Sequence, residues 1–272
     1  MFSLQGKTIV VTGGGKGVGA GISQAMAQNG AQVVITGRDS EALERTRQQL
    51  WEQHGANVLA VQADLTVLSD TARVIEKALS TFGRIDGWIN NAGSATAHDV
   101  GPLLDIGPDQ WDRVVDLNLK WTFFAAQAAA RAMQHGGAIV NITSRSGSCA
   151  NPGTGHYGAA KAALDNLTLT MAAEWGHKGI RVNAVAPGVV MTEELARTYN
   201  TEGRIRRQVE TVPLQRMGRP EDIGPLCVYL VSDASAWTSG ALVHVHGGSP
   251  LPMGYLSYLH KVNAATAPGA QA

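Results

Sequence analysis

Short β-branched runs alternate with longer amphipathic stretches from one end of this chain to the other, and that alternation restricts the fold more than any single motif does. The strand-like runs fall at 7–12, 32–36, 57–62, 85–90, 138–143, 181–186 and 241–246. Gly, Asn and Asp crowd their flanks, as strand ends require. Helical patterns lie between them, near 18–29, 40–54, 68–82, 109–134, 157–177 and 220–232. Near-continuous apolar strands alternating with helices indicate a parallel sheet covered on both faces. No internal repeat, low-complexity block or long linker divides the 272 residues, and 44% hydrophobic content is ample for one large core. The expected architecture is a single doubly wound, three-layer α/β/α domain over 1–250, with an extension at 251–272.

Composition removes some classes of function. Lys plus Arg number 22 and Asp plus Glu number 22, so the formal charge is zero. A nucleic-acid protein needs a basic surplus to neutralise phosphates. No apolar run reaches the roughly 18–20 residues that a membrane span needs, and the first residues lack a signal-peptide pattern. Cys149 and Cys227 lie far apart without zinc-type spacing, which suits two free thiols. The expectation is a cytoplasmic protein acting on a small molecule. Two segments, 94–108 and 188–219, follow strand C-termini, carry Gly and Pro, and show no clear period. Ligands in open α/β sheets bind outside the carboxyl ends of strands, so these segments are candidate walls or lids.

The first strand runs into Thr12-Gly13-Gly14-Gly15-Lys16-Gly17-Val18-Gly19 and then a helix. Glycines there allow positive φ and close backbone approach to a pyrophosphate, and the helix N-terminus supplies free N–H groups. The spacing is Gly-x3-Gly-x-Gly and departs from the general dinucleotide fingerprint. At the end of the second strand, an acid would bind a ribose 2′-OH and select NAD, whereas an arginine suits a 2′-phosphate. Here Gly37 holds the acid's slot and Arg38 follows, with Lys16 as a second positive charge. That favours NADP(H). NAD(H) is the alternative if Asp39 takes the 2′-OH, although Asp39 better suits the cap of a helix starting near Ser40. Asp64, ending the third strand, is a candidate acceptor for an adenine amino group. Asn90-Asn91-Ala92-Gly93 ends the fourth strand; its carboxamides suit either a ligand passing close by or a local turn.

At the fifth strand's end stands Ser144, followed thirteen residues on by Tyr157 and then Lys161. Tyr and Lys at i and i+4 share a helix face. A free phenol titrates near 10, and an ammonium beside it favours the phenolate. Ser144 can hydrogen-bond a substrate oxygen as charge builds on it. Arg145 and His156, flanking Ser144 and Tyr157, are candidate contacts to an acidic or polar substrate group.

The glycine turn, Asn-Asn-Ala-Gly, a Ser at a strand end and Tyr-x3-Lys, in this order, resemble the single-domain branch of the short-chain dehydrogenase/reductase family over about residues 5–250. The resemblance implies a Rossmann-like seven-stranded parallel sheet of order 3-2-1-4-5-6-7 and frequently a homotetramer, or a homodimer. It implies a catalytic tetrad of Asn118, Ser144, Tyr157 and Lys161. In the tetrad Tyr moves the proton, Lys also holds the nicotinamide ribose, Ser positions the carbonyl and Asn anchors a relay water. Pro187-Gly188 with Thr192 resembles the nicotinamide-side motif, and 213–222 the lead-in to the penultimate helix. The cofactor-binding set is then Gly13, Gly15, Lys16, Gly17, Val18, Gly19, Arg38, Asp64, Leu65, Asn91, Ala92, Gly93, Tyr157, Lys161, Pro187, Gly188, Val190 and Thr192, with the lid at about 188–219.

The implied activity is NADP(H)-dependent interconversion of a carbonyl compound and a secondary alcohol. An enoyl reductase of the same fold is the second enzyme reading; that branch typically separates Tyr and Lys by six residues rather than three. A non-catalytic nucleotide sensor tends to lose tetrad members, and extended-branch epimerases carry a larger C-terminal domain and a Gly-x2-Gly-x2-Gly turn. One departure from the family stands out: His246-Gly247-Gly248 replaces the frequent Asp-Gly-Gly. His244 and His246 alternate along a strand and so point to one face, but no third metal ligand accompanies them. The apolar stretch 250–260 is expected to pack at a subunit interface or over a pocket, and the residues after it to fray.

Overall fold

In the computed structural model, which describes residues 2–198 and 202–249, seven parallel strands form one sheet in the order β3-β2-β1-β4-β5-β6-β7. The strands are β1 (Thr8–Thr12), β2 (Gln32–Gly37), β3 (Val58–Gln62), β4 (Gly87–Asn90), β5 (Gly137–Ile142), β6 (Ile180–Pro187) and β7 (Leu242–Val245). Each matches an expected run within a residue or two. The helices are α1 (Gly17–Gln28), α2 (Ser40–His54), α3 (Leu68–Phe82), α4 (Pro108–Val115), α5 (Trp121–Ala132), α6 (Gly155–Trp175), α7 (Glu193–Thr198), α8 (Glu202–Val209) and α9 (Pro220–Val231).

Period-two alternation sends successive strand residues to opposite faces, and the chain fills both. Ile9, Val11, Val33, Ile35 and Val140 pack with Ile22 and Met26 of α1 and Ile223 and Cys227 of α9. Val10, Val34, Trp88, Ile139 and Val182 pack with Val74 of α3, Ala125 and Ala129 of α5 and Met171 of α6. Glycines let α1 and α9 approach closely: a side-chain carbon on Gly224 would sit 3.1 Å from the Gly21 carbonyl.

Two expectations change. The continuous helix expected over 109–134 is interrupted by a π turn, Asp116–Lys120, between α4 and α5. The segment 188–219, read as lacking a period, contains α7 and α8. The apolar stretch 250–260 and the frayed end lie outside the described residues.

A buried polar chain fastens α6 to the sheet. The Trp88 indole donates to Asn90 Oδ1 (2.7 Å), and Asn90 Nδ2 donates to Asn141 Oδ1 (2.9 Å). Asn141 Nδ2 donates to Thr168 Oγ1 (2.9 Å), whose hydroxyl donates to the Leu164 carbonyl (2.8 Å). All four side chains are at most 3% exposed. Inside a protein such a chain is stable only when every member is satisfied. Replacing Asn141 with Leu strands the Asn90 amide, so urea denaturation should show a loss of about 1–3 kcal/mol; an unchanged midpoint would show that the chain contributes nothing.

Candidate active site

The first strand's C-terminal end builds one half of the site. Thr12 is buried, donates to the Ile89 carbonyl (3.2 Å) and accepts from the backbone N–H groups of Asn91 (2.8 Å) and Ala92 (3.0 Å). Asn91 Nδ2 donates back to the Thr12 carbonyl (2.9 Å). The Asn91 side chain therefore binds the turn that follows β1, and Asn90 belongs to the buried chain described above. Both carboxamides do structural work, one of the two roles the sequence left open.

The turn itself suits a pyrophosphate. Gly13 and Gly17 take φ of 65° and 51°, where side chains are strained. A carbon added to Gly13 would lie 2.9 Å from Asn91 Nδ2, and one on Gly17 would lie 3.2 Å from Thr192 Cγ2. A side chain on Gly19 would overlap the Gly13 carbonyl. Helix α1 begins with no side-chain cap and no acid in its first turn. Its first N–H groups and positive dipole end thus face the turn uncompensated. Val18 packs against the core beneath, and Gly15 abuts Leu43 of α2.

At the end of β2, Asp39 is committed twice. Oδ1 accepts from Ala42 N (3.0 Å) and caps α2, and Oδ2 is paired with Lys16. The cap is the one the sequence favoured. Lys16 meets a carboxylate here that the sequence reading did not pair with it. The exposed Arg38 guanidinium has no hydrogen bond or ion pair among the described residues. Asp64 accepts at Oδ1 from Thr66 N (3.0 Å) and Oγ1 (2.8 Å). Leu65 and Ala92 line a small cavity with Thr12 and Asn90. On the opposite wall, Pro187 closes β6, Gly188 N donates to the Val245 carbonyl (2.9 Å), and Val190 bridges to Gly218. Thr192 caps the next turn by accepting from Leu195 N (3.2 Å), with its methyl against Gly17.

The four tetrad positions converge at the C-terminal ends of β4 and β5. Asn118 sits in the π turn, fully buried, and its Nδ2 donates to the Ser94 and Val114 carbonyls (2.9 Å each). Its Oδ1 is buried without a hydrogen-bond partner among the described residues. A carbon placed on Gly93 (φ 151°) would lie 2.6 Å from that oxygen and 3.4 Å from Lys161 Nζ, so both atoms border one point beside the Gly93 backbone. Lys161 is 3% exposed, donates from Nζ to the Ile142 carbonyl (3.1 Å), and lies 5.6 Å from the Tyr157 ring centroid. Ser144 is hydrogen-bonded to Tyr157, and its Oγ accepts from Ser146 N (3.1 Å).

The electrostatics reverse one expectation. Burial of the phenol oxygen pushes Tyr157 above its ordinary value of 10, opposed by the Ser144 hydrogen bond, although the residue as a whole keeps partial exposure. Burial also drives Lys161 down to about 8, with Asp165 opposing the shift. In the protein alone, desolvation outweighs the attraction between ammonium and phenolate.

His156 is a second correction. Read from the sequence as a candidate for either substrate or solvent, it is fully buried and stacked on Trp111, with ring centroids 6.3 Å apart, and neither nitrogen has a partner among the described residues. Successive helix residues point about 100° apart, so the phase that turns Tyr157 to the cleft turns His156 toward α4. Arg145 lies near His246, whose pKa burial, Arg145 and His244 lower.

Proteins of known family resemble this chain over nearly its whole length. The family profile described as enoyl-(acyl carrier protein) reductase matches residues 13–249. A Bacillus subtilis protein named "Probable 2,4-dienoyl-CoA reductase" is 36% identical over 250 residues, covering 90% of this chain and 97% of that one. 2-(S)-hydroxypropyl-CoM dehydrogenase 3 of Xanthobacter autotrophicus is 37% identical, covering 90% and 97%. The solved 7α-hydroxysteroid dehydrogenase, complexed with NADH and 7-oxo glycochenodeoxycholic acid, is 31% identical with a TM-score of 0.85, covering 91% of this chain and 96% of that one. The chain belongs to the short-chain dehydrogenase/reductase family. It is an oxidoreductase of that family, whose members use nicotinamide cofactors.

Burial lowers the His156 pKa below its ordinary 6.5, against the field of Asp99 and with that of Arg113. The unfolded chain therefore binds its proton first, and stability should be lost as pH falls from about 6.5 toward the folded value. His156→Phe keeps the stack on Trp111 and removes the proton site. Its melting temperature should fall less between pH 7.5 and pH 5.5 than that of the unaltered protein; an identical fall would contradict this assignment.

Proposed function

We propose that the chain is an NADP(H)-dependent oxidoreductase that interconverts a ketone and a secondary alcohol, or an aldehyde and a primary one, with Tyr157 as its general acid/base. The observation that carries this reading is the convergence of Ser144, Tyr157, Lys161 and the unpartnered Asn118 Oδ1 at the strand ends that also hold the glycine turn. The nicotinamide supplies or accepts a hydride at the substrate carbon when bound. Gly13, Gly15, Gly17, Val18 and Gly19 would hold the pyrophosphate end. Tyr157, Lys161, Asn91, Ala92, Gly93, Pro187, Gly188, Val190 and Thr192 would flank the reacting end.

In this reading the Ser144 hydroxyl holds the substrate oxygen, and Tyr157 gives that oxygen its proton during reduction. A phenol raised by burial is in the protonated form this step requires. The Lys161 ammonium then steadies the phenolate left behind. Asn118 Oδ1 is the acceptor for a water that returns the proton. Tyr157 and Lys161 share one face with three residues between them, not the six typical of the enoyl-reductase branch, which supports carbonyl over C=C reduction. Arg145 remains the candidate contact for an acidic or polar substrate group.

Selection of NADP(H) is supported by Gly37 at the end of β2 and by the unpaired Arg38 fork beside it, while Asp39 is taken up by the α2 cap and Lys16. The pairing of Lys16 with Asp39 favours NAD(H) instead, since it cancels a charge otherwise available to phosphate. Self-association as a homotetramer or homodimer belongs to this reading as what membership of the family implies.

Tyr157→Phe should lower carbonyl reduction at least a hundredfold while NADPH fluorescence titration shows binding within a few-fold of normal; near-normal turnover would overturn the acid/base assignment. Replacing Gly37 with Asp together with Arg38→Ala should raise the NADH-to-NADPH ratio of kcat/KM by about tenfold or more, corresponding to about 1.4 kcal/mol. An unchanged ratio would defeat the selectivity reading.

A further inference from the structure

The Asn118 amide has one orientation that its surroundings accept. Nδ2 donates to two carbonyls, those of Ser94 and Val114, at 2.9 Å each. Neither carbonyl can donate, so turning the amide over would set oxygen against oxygen. Oδ1 is thereby aimed at the point it shares with Lys161 Nζ beside Gly93. The two carbonyls belong to different pieces of chain. Val114 is on α4, and Ser94 begins the segment after β4 that was read above as a wall of the cleft. The orientation therefore holds only while these two pieces keep one spacing.

Asp99, 4% exposed, joins them. Its Oδ2 accepts from Thr96 N and Thr96 Oγ1 (2.7 Å each), and Asp99 N donates back to the Thr96 carbonyl (2.9 Å), so 96–99 is one tight turn. Its Oδ1 accepts from Arg113 Nη2 (2.7 Å) and Nε (3.1 Å). Arg113 directly precedes Val114, so this ion pair ties the wall to α4 one residue from a carbonyl that holds Asn118. Beside it, Gln110 Nε2 donates to the His98 carbonyl (3.1 Å) in an exposed position. A charge-assisted contact through two guanidinium nitrogens to a buried carboxylate is the stronger of these tethers.

We propose that Asp99, through its pair with Arg113, is a positioning residue that holds the Asn118 amide with Oδ1 toward Lys161. The inference rests on the relay role given to Asn118 above. Asp99 acts through Asn118 and not on the substrate. Without the ion pair the Ser94 carbonyl shifts relative to that of Val114, Nδ2 loses one of its two acceptors, and the amide can turn. The water that returns the proton then loses its acceptor, so turnover slows while the substrate still binds.

The test uses Asp99→Asn, which keeps an acceptor for Thr96 and removes the charge that holds Arg113. Arg113→Met reaches the same loss from the other side and serves if the first variant does not fold. Each should lower kcat for NADPH-dependent reduction about tenfold and leave the carbonyl's KM within about twofold. Arg113→Lys should restore most of the rate. In an Asn118→Ala background Asp99→Asn should cost nothing further, because two changes acting through one group do not add. A second readout needs no turnover. In full-length protein carrying 15N-labelled asparagine, the Asn118 side-chain amide is assigned by its absence in Asn118→Ala, and its hydrogens should exchange with solvent about tenfold faster once Asp99 is replaced. Unchanged exchange, additive losses of kcat, or a rise in KM in place of the fall in kcat would each overturn the proposal. If Asn118→Ala itself left kcat intact, the relay role of Asn118 would fall, and the exchange rate alone would decide whether Asp99 holds the amide.

Discussion

The rest of the molecule depends on how helix α6 is indexed to the sheet. One helix carries Tyr157, Lys161 and Asp165, and its sequence of small residues would tolerate other rotations and slides against β5 and β6. The hydrogen-bonded run from the Trp88 indole through Asn90, Asn141 and Thr168 to the Leu164 carbonyl removes that freedom. A rotation or slide that broke one link would leave buried polar atoms unpaired, at a cost of about 1–3 kcal/mol for each. One register survives, and in it the Lys161 ammonium reaches the Ile142 carbonyl and lies against the Tyr157 ring.

The same logic joins the two ends of the site. Thr12 holds the backbone of Asn91 and Ala92, and Asn91 holds the carbonyl of Thr12, so the glycine turn and the segment after β4 move as one piece. Gly93 then brings that piece against Asn118 and Lys161. The glycine turn and the cluster of Asn118 and Lys161 are thus set at a fixed separation by backbone and amide contacts.

Much of this was legible in the sequence. Buried parallel strands leave apolar runs wherever they occur, so seven strands and five of the six long helices could be placed within a few residues. Chain order and spacing singled out Ser144, Tyr157 and Lys161, and the fold brings the three together, because helical period and strand-end position translate directly into geometry. What stayed hidden depends on tertiary surroundings. The π turn at Asp116–Lys120 uses residues that suit an α-helix equally well; its signature is a wide turn in which the Asn118 side chain itself satisfies the Val114 carbonyl. The direction taken by His156 follows from the phase of α6 and not from its place beside Tyr157. The rise in the Tyr157 pKa and the fall in that of Lys161 come from burial, which no local pattern records. Helices α7 and α8 are six and eight residues long, too short for periodicity to declare itself.

The account stands or falls on hydride transfer from NADPH to a carbonyl carbon. The direct measurement is oxidation of NADPH, followed by its absorbance, across a broad panel of ketones and aldehydes, with NADH run in parallel. The account predicts substrate-dependent oxidation of NADPH for at least one carbonyl, yielding the secondary or primary alcohol, and a slower reaction with NADH. NADPH binding with no oxidation across the whole panel, or reduction confined to a C=C bond, would contradict it.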